Sequence, residues 1–118
     1  MFQPTLQRVV ERAENAYSAA VLNLDGLVIQ AVDASGNSVD ANDAMITYGP
    51  VFKQLLGIGD AVALGDIERF TVNAGEHTHL VRMLDGQHLV VLTVGSHANE
   101  GRAHFHLRVL APDLARSL

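Results

Sequence analysis

The apolar positions of this chain follow two rhythms, one of period two and one of period 3.6, and their succession along the 118 residues predicts its elements. The densest stretch, His-Leu-Val-Val-Leu-Thr-Val-Gly at 88–95, does not alternate with polar residues. Successive strand side chains point to opposite faces, so Leu89 and Val91 on one face and Val90, Leu92 and Val94 on the other predict a central strand covered on both sides. Asp85-Gly86 just before it predicts a tight type I′ hairpin turn with both residues at positive φ. After Gly95 the spacing of Ala103, Leu107, Leu110 and Leu114 predicts a closing helix that folds back over the strand.

The same reading covers the rest of the chain. Leu6, Val9, Val10, Ala13 and Tyr17 form one helical stripe opposite Arg8, Glu11, Arg12 and Glu14, with Pro4 suited to a first turn. Extended apolar runs at 18–24 and 27–32 flank Asp25-Gly26, a second turn of the type I′ kind, and 34–39 is loop by composition. Ala41, Ala44, Met45, Tyr48, Phe52, Leu55 and Leu56 predict a middle helix capped by Asp40 or Asn42 and stopped by Gly57, Gly59 and Asp60. Gly49-Pro50 inside it predicts a kink or a restart, since proline removes a backbone bond and crowds the preceding turn. Strands at 67–73 and 77–84 complete a meander with the central strand. The expected architecture is an α+β domain spanning 1–118, with a five-stranded antiparallel sheet and helices on both faces in the order α-β-β-α-β-β-β-α.

Composition narrows what such a domain does. Apolar residues make up 48% and charged residues 18%, a globular balance. The absence of cysteine removes disulfides, thiolate metal sites and cysteine nucleophiles. A net charge of −5, with seven arginines and one lysine dispersed along the chain, predicts no nucleic-acid partner. No run approaches the roughly 20 apolar residues that span a bilayer, and no secretory layout opens the chain, so the expected setting is soluble and cytoplasmic without membrane insertion.

Candidate chemistry is thin. His77 and His79 share a strand face and could supply two metal ligands, but a site needs a third and a fourth, and two solvated histidines are the plainer reading. His104 and His106 sit about 200° apart around a helix and read as surface and boundary residues. Ser96-His97 after a strand lacks the glycine bracket of a nucleophile elbow, and Ser96 reads as a turn or cap residue. Gly57-Ile58-Gly59 and Gly65 lack the lysine and the leading strand of a phosphate loop. Asp40/Asp43 and Asp66/Glu68 are acidic pairs at ordinary cap and loop positions. No catalytic residue, metal or cofactor is indicated.

What remains is apolar surface in excess of one small core. Ile46, Val51 and Ile58 lie off the main stripe of the middle helix, beside Pro50 and Lys53, and a helix apolar on more than one face presses against another chain unless broken pieces of it wrap their own core. The strand at 67–73 starts the meander and is expected at a sheet edge, where Glu68 and Arg69 blunt it or a second copy pairs with it across a two-fold axis. A homodimer is expected.

The element order, the run Ala20-Val21-Leu22-Asn23-Leu24-Asp25-Gly26-Leu27-Val28-Ile29, and Leu89-Val90-Val91-Leu92 followed by Asn99-Glu100-Gly101 resemble the Roadblock/light-chain-seven family, including its bacterial MglB-type members. The resemblance spans nearly the whole chain. It implies a non-enzymatic dimer with a continuous ten-stranded sheet that serves as a platform for a small Ras-like GTPase or as a scaffold, the GTPase's own switch loops being reorganised. Carried onto this sequence, it implies a dimer contact at Met45, Tyr48, Phe52, Ile67, Arg69 and Thr71, and a partner-facing surface at Ile46, Thr47, Pro50, Lys53 and Gln54. Gly49-Pro50 departs from the family's usually continuous middle helix, and no long tail follows the closing helix. A ligand-sensing profilin-like module and a scaffold indifferent to nucleotide are the alternatives.

Overall fold

The computed structural model describes residues 3–39, 43–61, 65 and 67–118, with side chains described for all of these except 43–46 and 59–61. Helix α1 (Gln3–Arg12) leads into strands β1 (Ala16–Asn23) and β2 (Val28–Asp33), followed by helix α2 (Asp43–Ala61). Strands β3 (Arg69–Ala74), β4 (His77–Met83) and β5 (His88–Gly95) come next, and helix α3 (Glu100–Arg116) closes the chain. The strands form one antiparallel sheet in the order β2-β1-β5-β4-β3. Strand β5 is therefore central, and every residue from Leu89 to Gly95 is buried. No helix among the described residues is long and apolar enough to cross a membrane.

Each face of the sheet has its own core. Ala19, Val21, Leu80, Val90, Leu92 and Val94 pack against Leu6, Val9 and Val10 of α1 and Ala103, Leu107, Leu110 and Leu114 of α3. On the other face, Ala20, Leu22, Val81, Leu89 and Val91 pack against α2, of which Phe52 is fully buried while Tyr48 and Leu56 are only partly so. Helix α3 starts at Asn99, whose side chain accepts from the Arg102 N–H, and runs through Pro112 to Arg116 without a break. Ser96, read as a turn or cap residue, lies in the turn before it, and the cap itself is Asn99.

Several expectations need correction. The first helix ends at Arg12, short of Tyr17, because Asn15 takes a left-handed φ of 60° and turns the chain into β1. Tyr17 lies on β1, 51% exposed, with its ring edge-on to His77 at 4.6 Å. Neither hairpin turn is type I′. At the first, only Gly26 is left-handed, with φ 88°, and the Asn23 side chain accepts from the N–H groups of Asp25 and Leu27, closing a three-residue loop. At the second, Gly86 has no positive φ; the Asp85 carboxylate accepts from the N–H groups of Gln87 and His88 at 2.7 and 2.8 Å and shapes the turn in place of glycine. The strand expected at 67–73 begins at Arg69, leaving Ile67 and Glu68 before it.

The two edges of the sheet differ. After β2, the chain folds back along its outer side: Ser38 bridges Val32, Val39 N–H donates to Ala31 C=O, and Asp33 N–H donates to Asn37 C=O. Among the described residues no strand pairs with the outer side of β3.

Helix α2 runs through Gly49-Pro50 and past Gly57 and Gly59, so it neither begins anew at Gly49-Pro50 nor stops at Gly57; the proposed caps Asp40 and Asn42 lie outside the described residues. Gly49 has a packing role. A Cβ built there would lie 2.5 Å from Asn23 O and 2.8 Å from Gly26 N, so the helix crosses the β1–β2 turn with no room for a side chain. Gly57 faces open space. Gly49→Ala should therefore destabilise the protein by about 1–3 kcal/mol through overpacking against backbone. Gly57→Ala should be neutral or stabilising by up to about 1 kcal/mol. Urea denaturation of the two variants checks this, and equal midpoints would refute the close crossing.

Candidate interaction surface

The outer side of β3 is one margin of the sheet, and Tyr48 of α2 lies near it beside Phe70. In antiparallel pairs, hydrogen-bonded and non-bonded residue pairs alternate. Met83 N–H donates to Glu68 C=O at 2.9 Å, and Arg69 faces Arg82, Phe70 faces Val81 and Thr71 faces Leu80 in the register. Phe70 and Val72 thus turn their backbone groups towards β4, whereas Arg69, Thr71 and Asn73 present theirs outward. Among the described residues nothing pairs with these three outward sets of N–H and C=O groups.

The side chains expected at a dimer contact divide between two faces of the sheet. On the α2 face, Tyr48 is half-buried between the Phe70 ring at 6.4 Å and the His79 ring at 5.2 Å, and Ile67 packs at the margin of the same core. Burial pushes the Tyr48 phenol up from its ordinary value. Phe52 has no exposed surface; it lies wholly in the core with Phe70 against it at 5.3 Å, so it supports a contact from beneath. Arg69 and Thr71 point to the opposite face, where α3 lies, and the Thr71 hydroxyl is hydrogen-bonded to His104 Nε2 at 2.7 Å. The side chain of Met45 lies outside those described.

The residues expected to face a partner fall together in part. Pro50, Lys53 and Gln54 line an open hollow of about 340 Å³ with Leu24 and Asp25 of the β1–β2 turn. Lys53 Nζ lies 3.7 Å from the Asp25 carboxylate, both well exposed, so the pair contributes little to stability and leaves both charges available. Thr47 is exposed on the same helix, and the side chain of Ile46 lies outside those described.

The histidines differ from their expected settings. His77 and His79 do share a face, but both are half-buried rather than solvated. His79 Nδ1 is hydrogen-bonded to Thr93 Oγ1 at 2.9 Å, and burial, with His77 beside it, pushes its imidazole down. No group of three or more His, Asp or Glu among the described residues is placed to hold a metal ion. Asp40 and Asp66 of the acidic pairs lie outside the described residues, and Gly57-Ile58-Gly59 lies within α2 rather than in a loop.

His104, read as a surface or boundary residue, is only 6% exposed. Burial, with Arg69 and Arg82 nearby, pushes its imidazole down to about 4. Its Nδ1 is a buried atom without a partner. The sequence carried a signal for this, since position 104 falls three residues before Leu107 and seven before Ala111, on the buried side of α3. Phe70, which joins Tyr48 and Phe52, carries a cue of its own in the sequence, the alternation of Phe70, Thr71 and Val72.

No protein-family model and no curated protein matches the chain. Solved structures do. MglC from Myxococcus xanthus aligns with a TM-score of 0.71 at 24% identity, covering 99% of this chain and 98% of that one. Myxococcus xanthus MglB aligns with a TM-score of 0.85 at 10% identity, covering 98% and 93%. A Roadblock/LC7 domain from Streptomyces avermitilis aligns with a TM-score of 0.75 at 17% identity, covering 98% and 95%. The likeness is one of fold: the chain has the Roadblock/LC7 architecture over nearly its whole length.

The buried histidine makes stability depend on pH. Between pH 6.5, its ordinary value, and about 4, the unfolded chain binds a proton at His104 that the native chain does not. Stability therefore rises with pH across that window: the contribution is complete above 6.5 and is lost on acidification. Between pH 7 and pH 5 the wild type should lose about 2 kcal/mol more than His104→Gln. Urea midpoints at the two pH values check this; parallel losses in both proteins would show that His104 is not held neutral.

Proposed function

We propose that this chain forms a homodimer through the outer edge of β3 and the aromatic side of α2, and that the dimer is a platform that binds a small Ras-like GTPase and modulates its cycle. The observation that carries the reading is the free β3 edge, with outward backbone groups at Arg69, Thr71 and Asn73 beside the half-covered Tyr48 and Phe70. An unpaired edge is a template for another strand, and two copies meeting there about a two-fold axis would continue the sheet to ten strands. Tyr48 and Ile67 supply apolar contact in this arrangement, and Arg69 and Thr71 contribute through their backbone. Met45 is assigned to the same contact from its place on α2.

The partner-facing surface is assigned to Pro50, Lys53 and Gln54 around their hollow, with Ile46 and Thr47 on the preceding turn of α2. This surface is separate from the β3 edge, so a dimer would keep it accessible. The fold shared with MglB, MglC and the Roadblock/LC7 domain supports the reading, and one of the similar solved structures is described as MglB with a tetrameric arrangement. A regulator must bind one nucleotide state better than the other, since equal affinity shifts no equilibrium.

Thr71→Pro removes an outward N–H while leaving the bonds to β4 intact, so it should convert the dimer to a folded monomer. Thr71→Val keeps the N–H and should remain dimeric. Light scattering, with circular dichroism to confirm folding, checks both; a wild-type monomer, or a dimeric Thr71→Pro, would exclude the edge. Mixed with small GTPases of its source organism, the dimer should gain mass with the form loaded with a slowly hydrolysed GTP analogue and not with the GDP form. Equal binding of both forms would identify a scaffold instead.

A further inference from the structure

The face of β3 and β4 that lies under α3 carries an arrangement that the dimer reading does not use. Arg69 and Arg82 are direct cross-strand partners on one face of the sheet, a placement in which like charges destabilise the pairing. Arg108 of α3 borders the same cavity, with its guanidinium 5.4 Å from the Phe105 ring centroid. None of the three arginines forms an ion pair among the described residues. Burial pushes the Arg82 guanidinium down, Glu68 opposes this, and Arg69 and Arg108 add to it, so both neighbouring cations act on Arg82. His104 lies against them, buried, with an unpartnered Nδ1.

These groups surround a cavity of about 320 Å³, open to solvent and lined by Glu68, Arg69, Arg82, His104, Phe105 and Arg108 together with Gly101. Three guanidinium groups against one carboxylate leave an excess of two positive charges in a chain whose net charge is −5. Guanidinium groups hydrogen-bond oxyanions through paired, coplanar donors. We propose that this cavity is an oxyanion site for the dianionic phosphate group of a small soluble molecule. The excess of two charges matches a phosphate monoester or inorganic phosphate better than the single charge of a lipid phosphodiester. The Glu68 carboxylate in the wall disfavours an extended polyanion. The volume leaves room for a small organic group beyond the phosphate. The site is complete within one chain and stands whether or not the β3 edge pairs.

Calorimetric titration of the full chain with inorganic phosphate, and separately with glycerol 3-phosphate, at fixed ionic strength in chloride tests the site. One saturable site per chain is expected, weakened at least tenfold by Arg82→Gln or Arg108→Gln and strengthened several-fold by Glu68→Gln. Circular dichroism should show that each arginine variant keeps the wild-type fold in chloride. Phosphate should raise the melting temperature of the wild type more than that of Arg82→Gln, a comparison that cancels the general salting effect of phosphate. Tighter binding of glycerol 3-phosphate than of phosphate would show that the organic group is also held. Absence of saturable binding, or equal binding by wild type and Arg82→Gln, would overturn the proposal. So would binding confined to phosphatidylglycerol vesicles, which would place the ligand in a membrane.

Discussion

Strand β5 cannot meet water on either face, and the rest of the fold answers that constraint. Leu89 and Val91 need cover on one side, Val90, Leu92 and Val94 on the other. Helices α1 and α3 together close the second side, with a continuous set of buried residues from both. The first side has α2 alone. One helix spans about 10 Å with its side chains, too narrow to cover five strands, so it closes over β1 and β5 through Phe52 and leaves Phe70 and Val72 of β3 and His79 and Met83 of β4 partly exposed. The incomplete cover thus lies beside the margin of β3 with which no strand pairs among the described residues.

Strand alternation then gives the β3–β4 hairpin two different chemistries within a few residues. Phe70, Val81 and His79 look towards α2 and build an apolar, aromatic surface. Arg69, Thr71 and Arg82 look towards α3 and build a cationic one around a buried neutral histidine. Moving one position along either strand passes from one surface to the other. Helix α2 keeps its place over this sheet because Gly49 lets its backbone touch the β1–β2 turn, and the hollow beside Pro50, Lys53 and Gln54 lies where the two meet.

The order of elements, the central position of β5 and the edge position of β3 were legible in the sequence, because they depend on hydrophobic period and on chain order. The turn conformations were not. Asp-Gly admits a type I′ turn, but the side chains of Asn23 and Asp85 capture backbone N–H groups two to four residues onward and set a different geometry. Gly49-Pro50 reads locally as a helix breaker, and its reason is a contact 23 to 26 residues earlier in the chain. The burial of His104 is hidden from a stripe of aliphatic residues, because its ring is polar although its position lies on the buried side of α3. The meeting of Arg69, Arg82 and Arg108 could not be seen in a dispersed count of charges; it needs the strand register and the placement of α3.

The outer side of β2 has a further consequence. The chain that follows it bonds the C=O of Ala31 and the N–H of Asp33, which shortens the run left for another strand there, while no strand pairs with the opposite margin among the described residues. If two copies pair through β3 as proposed, the one margin left unpaired among the described residues is used up in each copy, so growth would end at two and the loop 34–39 along β2 would close the route from an exposed edge to a fibril.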